Sequence, residues 1–181
     1  MDNSDKIKTP FDRVAYFVEL DHKHRGKQHV FVSFKTMTND IKKIGIPDFR
    51  SGAVFQQMVD DMEIVSNVSD LKTGRVDQGN IEFWPYNYSN KNQKNVPGAD
   101  DKKFDFGDQC ANGQDYGSMQ VHNYKAKQTV FAINCWKAGQ KADLGIGNCK
   151  KSNRGGTDWT FKGNAKNHNS AKLRVLIRPS Q

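Results

Sequence analysis

Acidic residues are nearly missing from the end of this chain. Residues 149–181 carry eight Lys or Arg side chains against one Asp, whereas residues 1–78 hold 12 of each sign and residues 79–148 hold eight basic and seven acidic ones. Almost the whole net charge of +8 therefore sits in the tail. Such a field attracts anionic polymers by steering and counterion release; its plainer reading is a solvated basic edge. Long apolar runs are also missing. Nothing approaches the ~20 residues that cross a bilayer, so no membrane partner is expected. "MDNSDKIKTP" has no hydrophobic stretch and is no signal peptide. That leaves a cytoplasmic protein or a mature segment behind a new Met; the second is preferred, and with it a secreted or periplasmic location. Cysteine is scarce, and the spacing of Cys110, Cys135 and Cys149 fits no zinc site. Two readings stay open: a Cys110–Cys149 disulfide with Cys135 free, or three free thiols. A hydrophobic fraction of only 35% beside 15 glycines argues against a helical bundle and for many short strands joined by turns.

What is present is period-two alternation. In "RVAYFVEL" (13–20), Val14, Tyr16, Val18 and Leu20 share one face and Ala15, Phe17 and Glu19 the other. "HVFVSFKTM" (29–37) is its expected partner across the charged loop "DHKHRGKQ", whose Gly26 marks a hairpin. His22 and His24 in that loop are candidate metal ligands, but a solvated turn is the preferred reading. Residues 39–52 hold at most a helical turn before Gly45 and Pro47. Strands follow at 53–59 and 62–68, separated by a turn at Asp60–Asp61. Paired carboxylates suggest acid/base chemistry, yet neighbours on a strand point to opposite faces, which favours the turn. Gly74 and Gly79 punctuate a loop over 69–80. Further strands are expected at 80–86, 117–124, 128–136, 157–161 and 172–179, with a long polar loop over 87–101, an alternation of Phe104 and Phe106 against Asp105 that closes on Gly107–Asp108, and two glycines in "ADLGIGN" (142–148) where the backbone turns tightly or comes close to another group. About ten short antiparallel strands at this spacing predict an all-β fold, a β-sandwich of jelly-roll type. Residues 11–179 form its single domain, and residues 1–10 a disordered leader. A monomer is expected.

The chemistry concentrates between Gly79 and Asn148. If the strands at 80–86, 117–124 and 128–136 are neighbours, Glu82, Trp84, Gln120, His122, Asn134 and Trp136 fall on one face. Phe83, Met119, Val121, Phe131 and Ile133 fall on the other. Indole faces pack on pyranose rings, while Gln, Asn, His and Glu offer directional hydrogen bonds to hydroxyl groups. The competing reading is a second small core in which the amides pair with backbone. In the sugar-binding reading Lys150, Lys151 and Arg154 assist with a sulfate or carboxylate. Glu82, Asp105, Asp108 and His122 could instead form a hydrolytic site. No G-x-S-x-G elbow, H-E-x-x-H or P-loop accompanies them, and "YGSMQ" around Ser118 lacks the second elbow glycine. No cofactor is required. If an ion binds, calcium fits best, at Asp105 and Asp108 with Asp100 and Asp101 nearby, against a reading as ordinary turn acids.

The phrases "GNIEFWPYNY", "VPGADDKKFDFGD", "YGSMQVHN", "QTVFAIN", "ADLGIGN" and "DWTF", ending in "LRVLIRP", are similar to an accessory β-domain of planctomycete-type bacterial proteins. There it is appended to predicted sialate O-acetylesterases and sulfatases, and the similarity runs in order from "FDRVAYFVEL" to the last strand. The resemblance implies a secreted module attached to a glycan-processing enzyme. The catalytic sequences of those enzymes are absent here, so their activities do not transfer.

These observations converge on a lectin-like, non-catalytic carbohydrate-binding domain for an anionic or complex glycan, sulfated or carboxylated. The second reading is a small glycan hydrolase or lyase using His122 with Glu82 or Asp105. Third is a polyanion-binding or nucleic-acid-binding β domain, resting only on the basic tail and exposed aromatics.

Overall fold

A computed structural model describes residues 6–44, 55–84, 118–135, 142–147 and 168–181. The chain is an all-β sandwich of two antiparallel five-stranded sheets. The first sheet has the order β10-β1-β2-β4-β5. Its strands are β1 (Phe11–His22), β2 (Gly26–Lys35), β4 (Met62–Ser66), β5 (Gly74–Val76) and β10 (His168–Pro179). The second has the order β3-β6-β7-β8-β9, built from β3 (Phe55–Val59), β6 (Gly79–Trp84), β7 (Ser118–Asn123), β8 (Gln128–Cys135) and β9 (Ala142–Ile146). One helical turn, α1 (Ile41–Ile44), follows β2.

The alternation read from the sequence sets which face each strand buries. Val14, Tyr16, Val18 and Leu20 of β1 are fully buried, as are Val30, Val32 and Phe34 of β2. From the second sheet Ile81, Phe83, Met119, Val121, Phe131 and Ile133 meet them in one cluster. Tyr16 sits at the centre, its ring 6.0 Å from Phe34 in its own sheet and 5.5 Å from Phe131 in the other. Leu173, Val175 and Ile177 of β10 pack against the same cluster from the edge. So does Ile7, in the segment read as a disordered leader, and Pro10 C=O accepts a 2.9 Å hydrogen bond from Ser180 N–H. Ile7 and Pro10 thus contact the sandwich, and residues 1–5 lie outside the described residues.

Tyr16 is a polar group in an apolar place, and its hydroxyl donates to Ile44 C=O at 2.5 Å. That bond ties the end of α1 into the core, and burial pushes the phenol well above its ordinary value of 10.0. Removing only the hydroxyl, in Tyr16→Phe, is expected to cost about 1–3 kcal/mol by leaving the carbonyl without its donor. The sign of the pH effect follows from linkage. Above about pH 10 the unfolded chain releases this proton and the folded one keeps it, so stability present below pH 10 falls by up to about 1.4 kcal/mol per pH unit. Urea melts between pH 9 and 11.5 should show that alkaline fall in the native protein and a shallower one in Tyr16→Phe. Equal slopes would mean that Tyr16 is not the responsible group.

Three local expectations change. The β1–β2 hairpin is tighter than the charged loop implied, because β1 runs to His22 and β2 begins at Gly26, which turns with φ 72°. His22 is buried, and its Nδ1 accepts the backbone N–H groups of His24 and Arg25 at 3.0 and 3.1 Å. It caps the turn, with its ring 5.1 Å from that of His168, instead of being solvated. Second, the loop read over 69–80 contains β5, and Gly79 belongs to β6. A Cβ at Gly79 would collide with Met62 Cε and come within 2.8 Å of Val59 Cγ2, so close packing, not a turn, requires this glycine. Third, β10 begins at His168 and not at Lys172. The polar stretch His168–Ala171 is held extended by its pairing with Leu20–His22 of β1. At the other end of that pairing Arg178 binds Asp12 through two hydrogen bonds of 2.7 and 2.9 Å, which holds the Asp12 carboxyl below its usual range.

Candidate functional site

The central strands do become neighbours. Glu82 stands opposite Gln120, and Gln120 opposite Ala132; Asn80 stands opposite His122, and His122 opposite Thr129. Trp84 pairs in register with Ser118, and Ser118 with Asn134. Trp84 shares the parity of Glu82 along β6, and Asn134 that of Ala132 along β8. Glu82, Trp84, Gln120, His122 and Asn134 thus come together at adjacent register positions of one sheet. Trp136, Lys150, Lys151, Arg154, Asp105 and Asp108, together with Cys110 and Cys149, lie outside the described residues.

The expected open polar surface is not what the strands present. Glu82 is 2% exposed, Gln120 6% and His122 0%, and Asn80, Thr129 and Ala132 beside them are also fully buried. The sheet is therefore buried on both faces at β6–β8. A carboxylate, two amides and an imidazole share one low-dielectric patch, where each needs polar partners.

His122 shows how the patch is ordered. Its Nδ1–H donates to Asn80 Oδ1 at 2.8 Å, a bond that fixes the ring's orientation. A register shift falls between Val121 and His122, where Val121 opposes Phe131 and His122 opposes Thr129, leaving Val130 as the extra residue on β8. Such bulges bend a strand and re-aim the side chains beside them. The turn below is closed by Asn123 Oδ1, which accepts from Ala126 N–H at 3.0 Å, and by Lys127 at φ 49°. Nδ2 of the same Asn80 amide is buried and has no hydrogen-bond partner among the described residues. Glu82 and His122 are diagonal across the β6–β7 ladder, a separation of about 7–8 Å between backbones that long side chains can close.

Asn80 and Thr129 are the polar members of this patch that the sequence reading left out. Asn80 has the same parity as Glu82, which was the available signal; Thr129 enters only through the bulge. Gln57 is buried as well, but its role is structural. Its Oε1 accepts from Met37 N–H at 3.1 Å and its Nε2 donates to Lys35 C=O at 3.0 Å, pinning the segment after β2. Among the described residues no group of three or more His, Cys, Asp or Glu side chains is arranged to hold a metal ion, and His22 with His24 makes no such site. Among those residues, too, no helix is long and apolar enough to cross a membrane. No protein-family model, curated protein or solved structure matches the chain.

Proposed function

We propose that this domain is a non-catalytic carbohydrate-binding module that takes its ligand at the polar face of β6–β8. The observation that carries the reading is the register of β6 and β7, which sets Asn80 and Glu82 of one strand against His122 and Gln120 of the next. A sugar hydroxyl both donates and accepts. Glu82 offers an acceptor, Asn80 Nδ2 a donor, and Gln120 both, a set that suits a ring bearing several hydroxyl groups. These groups are buried, so the reading requires a bound ring to displace what covers them and to bring its hydroxyl edge to the patch. Packing on its C–H face is assigned to Trp84 and Trp136. The basic residues Lys150, Lys151 and Arg154 favour a sulfated or carboxylated ligand. Attachment to a glycan-processing enzyme, and with it a secreted or periplasmic location, belongs to the same proposal.

A glycan array tests this, followed by titration calorimetry on any hit. Binding is expected for a restricted set of glycans, to disappear in Trp84→Ala or Trp136→Ala, and to survive in His122→Gln with the glycan unaltered. One observation favours a second reading. The His122–Asn80 bond leaves an oriented imidazole diagonal to Glu82, the arrangement an acid/base pair needs. Turnover of an array hit that vanishes in His122→Gln while binding remains would replace the module with a hydrolase or lyase. Uniform retention of all polyanions, indifferent to the Trp changes and steeply salt-dependent, would sink both.

A further inference from the structure

The outer face of the first sheet, on the opposite side of the sandwich, carries a row that the core does not need. Register sets Arg174 of β10 opposite Phe17 of β1, Phe17 opposite Phe31 of β2, and Phe31 opposite Val65 of β4. Four neighbouring strands thus read Arg–Phe–Phe–Val straight across the sheet. Both phenylalanines are partly exposed, Val65 is 51% exposed, and Leu176, the next outward residue on β10, is 47% exposed. Thr36 N–H donates to Asp12 C=O, so the 12/36 pair is hydrogen-bonded. By alternation along the ladder Phe17 and Phe31 form a non-hydrogen-bonded pair, the kind in which side chains stand closest. His29 adds a third ring, 6.2 Å from Phe17 and tilted by 32°.

The flank of that row is cationic. The outward residues of β10 are Lys172, Arg174, Leu176 and Arg178, all exposed. Arg178 is engaged by Asp12, and Lys172 approaches Glu19 at 3.5 Å. Arg174, at the end of the aromatic row, forms no ion pair among the described residues.

We propose that this face binds single-stranded nucleic acid, with Phe17 and Phe31 as stacking platforms for successive bases and Arg174 and Lys172 against the phosphates. Aromatic side chains on adjacent strands, about 4.8 Å apart, accept the π-face of any base, and cations beside them neutralise the backbone. Arg174, with no ion pair among the described residues at the end of the row, favours an anionic partner, and the two rings favour one with flat faces. An anionic polysaccharide would use the cations and find few amide groups beside the rings. A protein partner calls for an apolar patch wider than one row. The site is independent of the glycan proposal, since it shares no residue with β6–β8.

The test is fluorescence anisotropy of a labelled oligo-dT and oligo-U of about 12 nucleotides with the full chain, across a salt series, with duplex DNA and heparin as competitors. The single strands should bind, and Phe17→Leu and Phe31→Leu should each weaken binding about tenfold, leucine keeping the apolar cover while removing the ring. Arg174→Glu, a change at an exposed position, should weaken all sequences alike and lower the slope of log affinity against log salt by about one or more. Unchanged melting temperatures in these variants separate lost stacking from lost folding. Full affinity in both leucine variants, equal affinity for duplex or heparin, or no binding at low salt each overturns the proposal. Glycan binding lost in Trp84→Ala has no bearing on it.

Discussion

Phe131→Ala is expected to lower the unfolding free energy by about 3–5 kcal/mol, among the largest single-residue effects available in this domain. The ring is completely buried and lies 5.5 Å from Tyr16, so it is a direct contact between the two sheets and not merely filler within one. Position in the sheet sets the size of the effect. β8 is held on one side by β7 and on the other by β9, so its backbone cannot sink into the void that the missing ring leaves. The cavity persists, and its cost adds to the lost transfer free energy. Ile133→Val, two residues along on the same face, removes one methyl group and should cost about 0.5–1.5 kcal/mol. Urea denaturation reads both as a shift of the midpoint with an unchanged slope. A loss below about 1 kcal/mol for Phe131→Ala would mean that the sheets do not pack across this ring. In a double-mutant cycle Tyr16→Leu and Phe131→Ala should couple by about 0.5–1.5 kcal/mol, the range for an aromatic pair.

Phe131 also marks what the sequence makes legible. Alternation alone assigned it to the core with Phe83, Met119, Val121 and Ile133, and it placed Glu82, Gln120 and His122 together on the opposite side; the β6–β8 registers agree on both counts. Burial of that opposite side was not legible. A strand that alternates apolar and polar residues reads the same whether its polar side meets water or protein, because the local pattern records hydrophobicity and not cover. The structural role of His22 was hidden for a related reason. Its neighbours Lys23, His24 and Arg25 describe a wet loop, while its own fate depends on standing opposite Gly26, where its ring nitrogen meets two turn N–H groups. Strand β5 and the first residues of β10 have too little apolar content to announce themselves. They are strands because β4 and β1 offer them a ladder. Asn80 shares the parity of Glu82 and Trp84 along β6, but an Asn after a Gly at a strand's first position reads equally as the end of a turn, so its burial beside His122 has no local signal.

The adjacent carboxylates Asp60 and Asp61 are expected to behave as unlike residues: Asp61→Ala should cost about 2–3 kcal/mol, while Asp60→Ala stays within about 0.5 kcal/mol of the native protein. Asp60 is exposed at the β3–β4 turn and has no ion pair among the described residues. Asp61 reaches across to the first sheet. Its Oδ1 accepts from Lys35 N–H at 2.9 Å, and its Oδ2 pairs with the Arg13 guanidinium, which also donates to Ser33 Oγ at 3.2 Å. Register explains why that acid matters. Arg13 stands between Lys35 on β2 and Arg178 on β10, so three cations lie in one row across adjacent strands, where like charges repel. Asp12 answers Arg178 and Asp61 answers Arg13. The Arg13 and Asp61 side chains are only 22% and 14% exposed, so water replaces the lost partner poorly. Asp61→Ala therefore forfeits a charge-assisted bond, orphans the Lys35 N–H and uncovers the repulsion, whereas Asp61→Asn keeps the first acceptor and should lose about half as much. Salt gives a separate check, since roughly 1 M NaCl shortens the screening length to about 3 Å and should shrink the Asp61→Ala deficit measured in urea. Equal costs for the two aspartates would show that the pair is an ordinary turn. A deficit in Asp61→Ala indifferent to salt would locate its origin in the hydrogen bond to Lys35 and not in the row of cations.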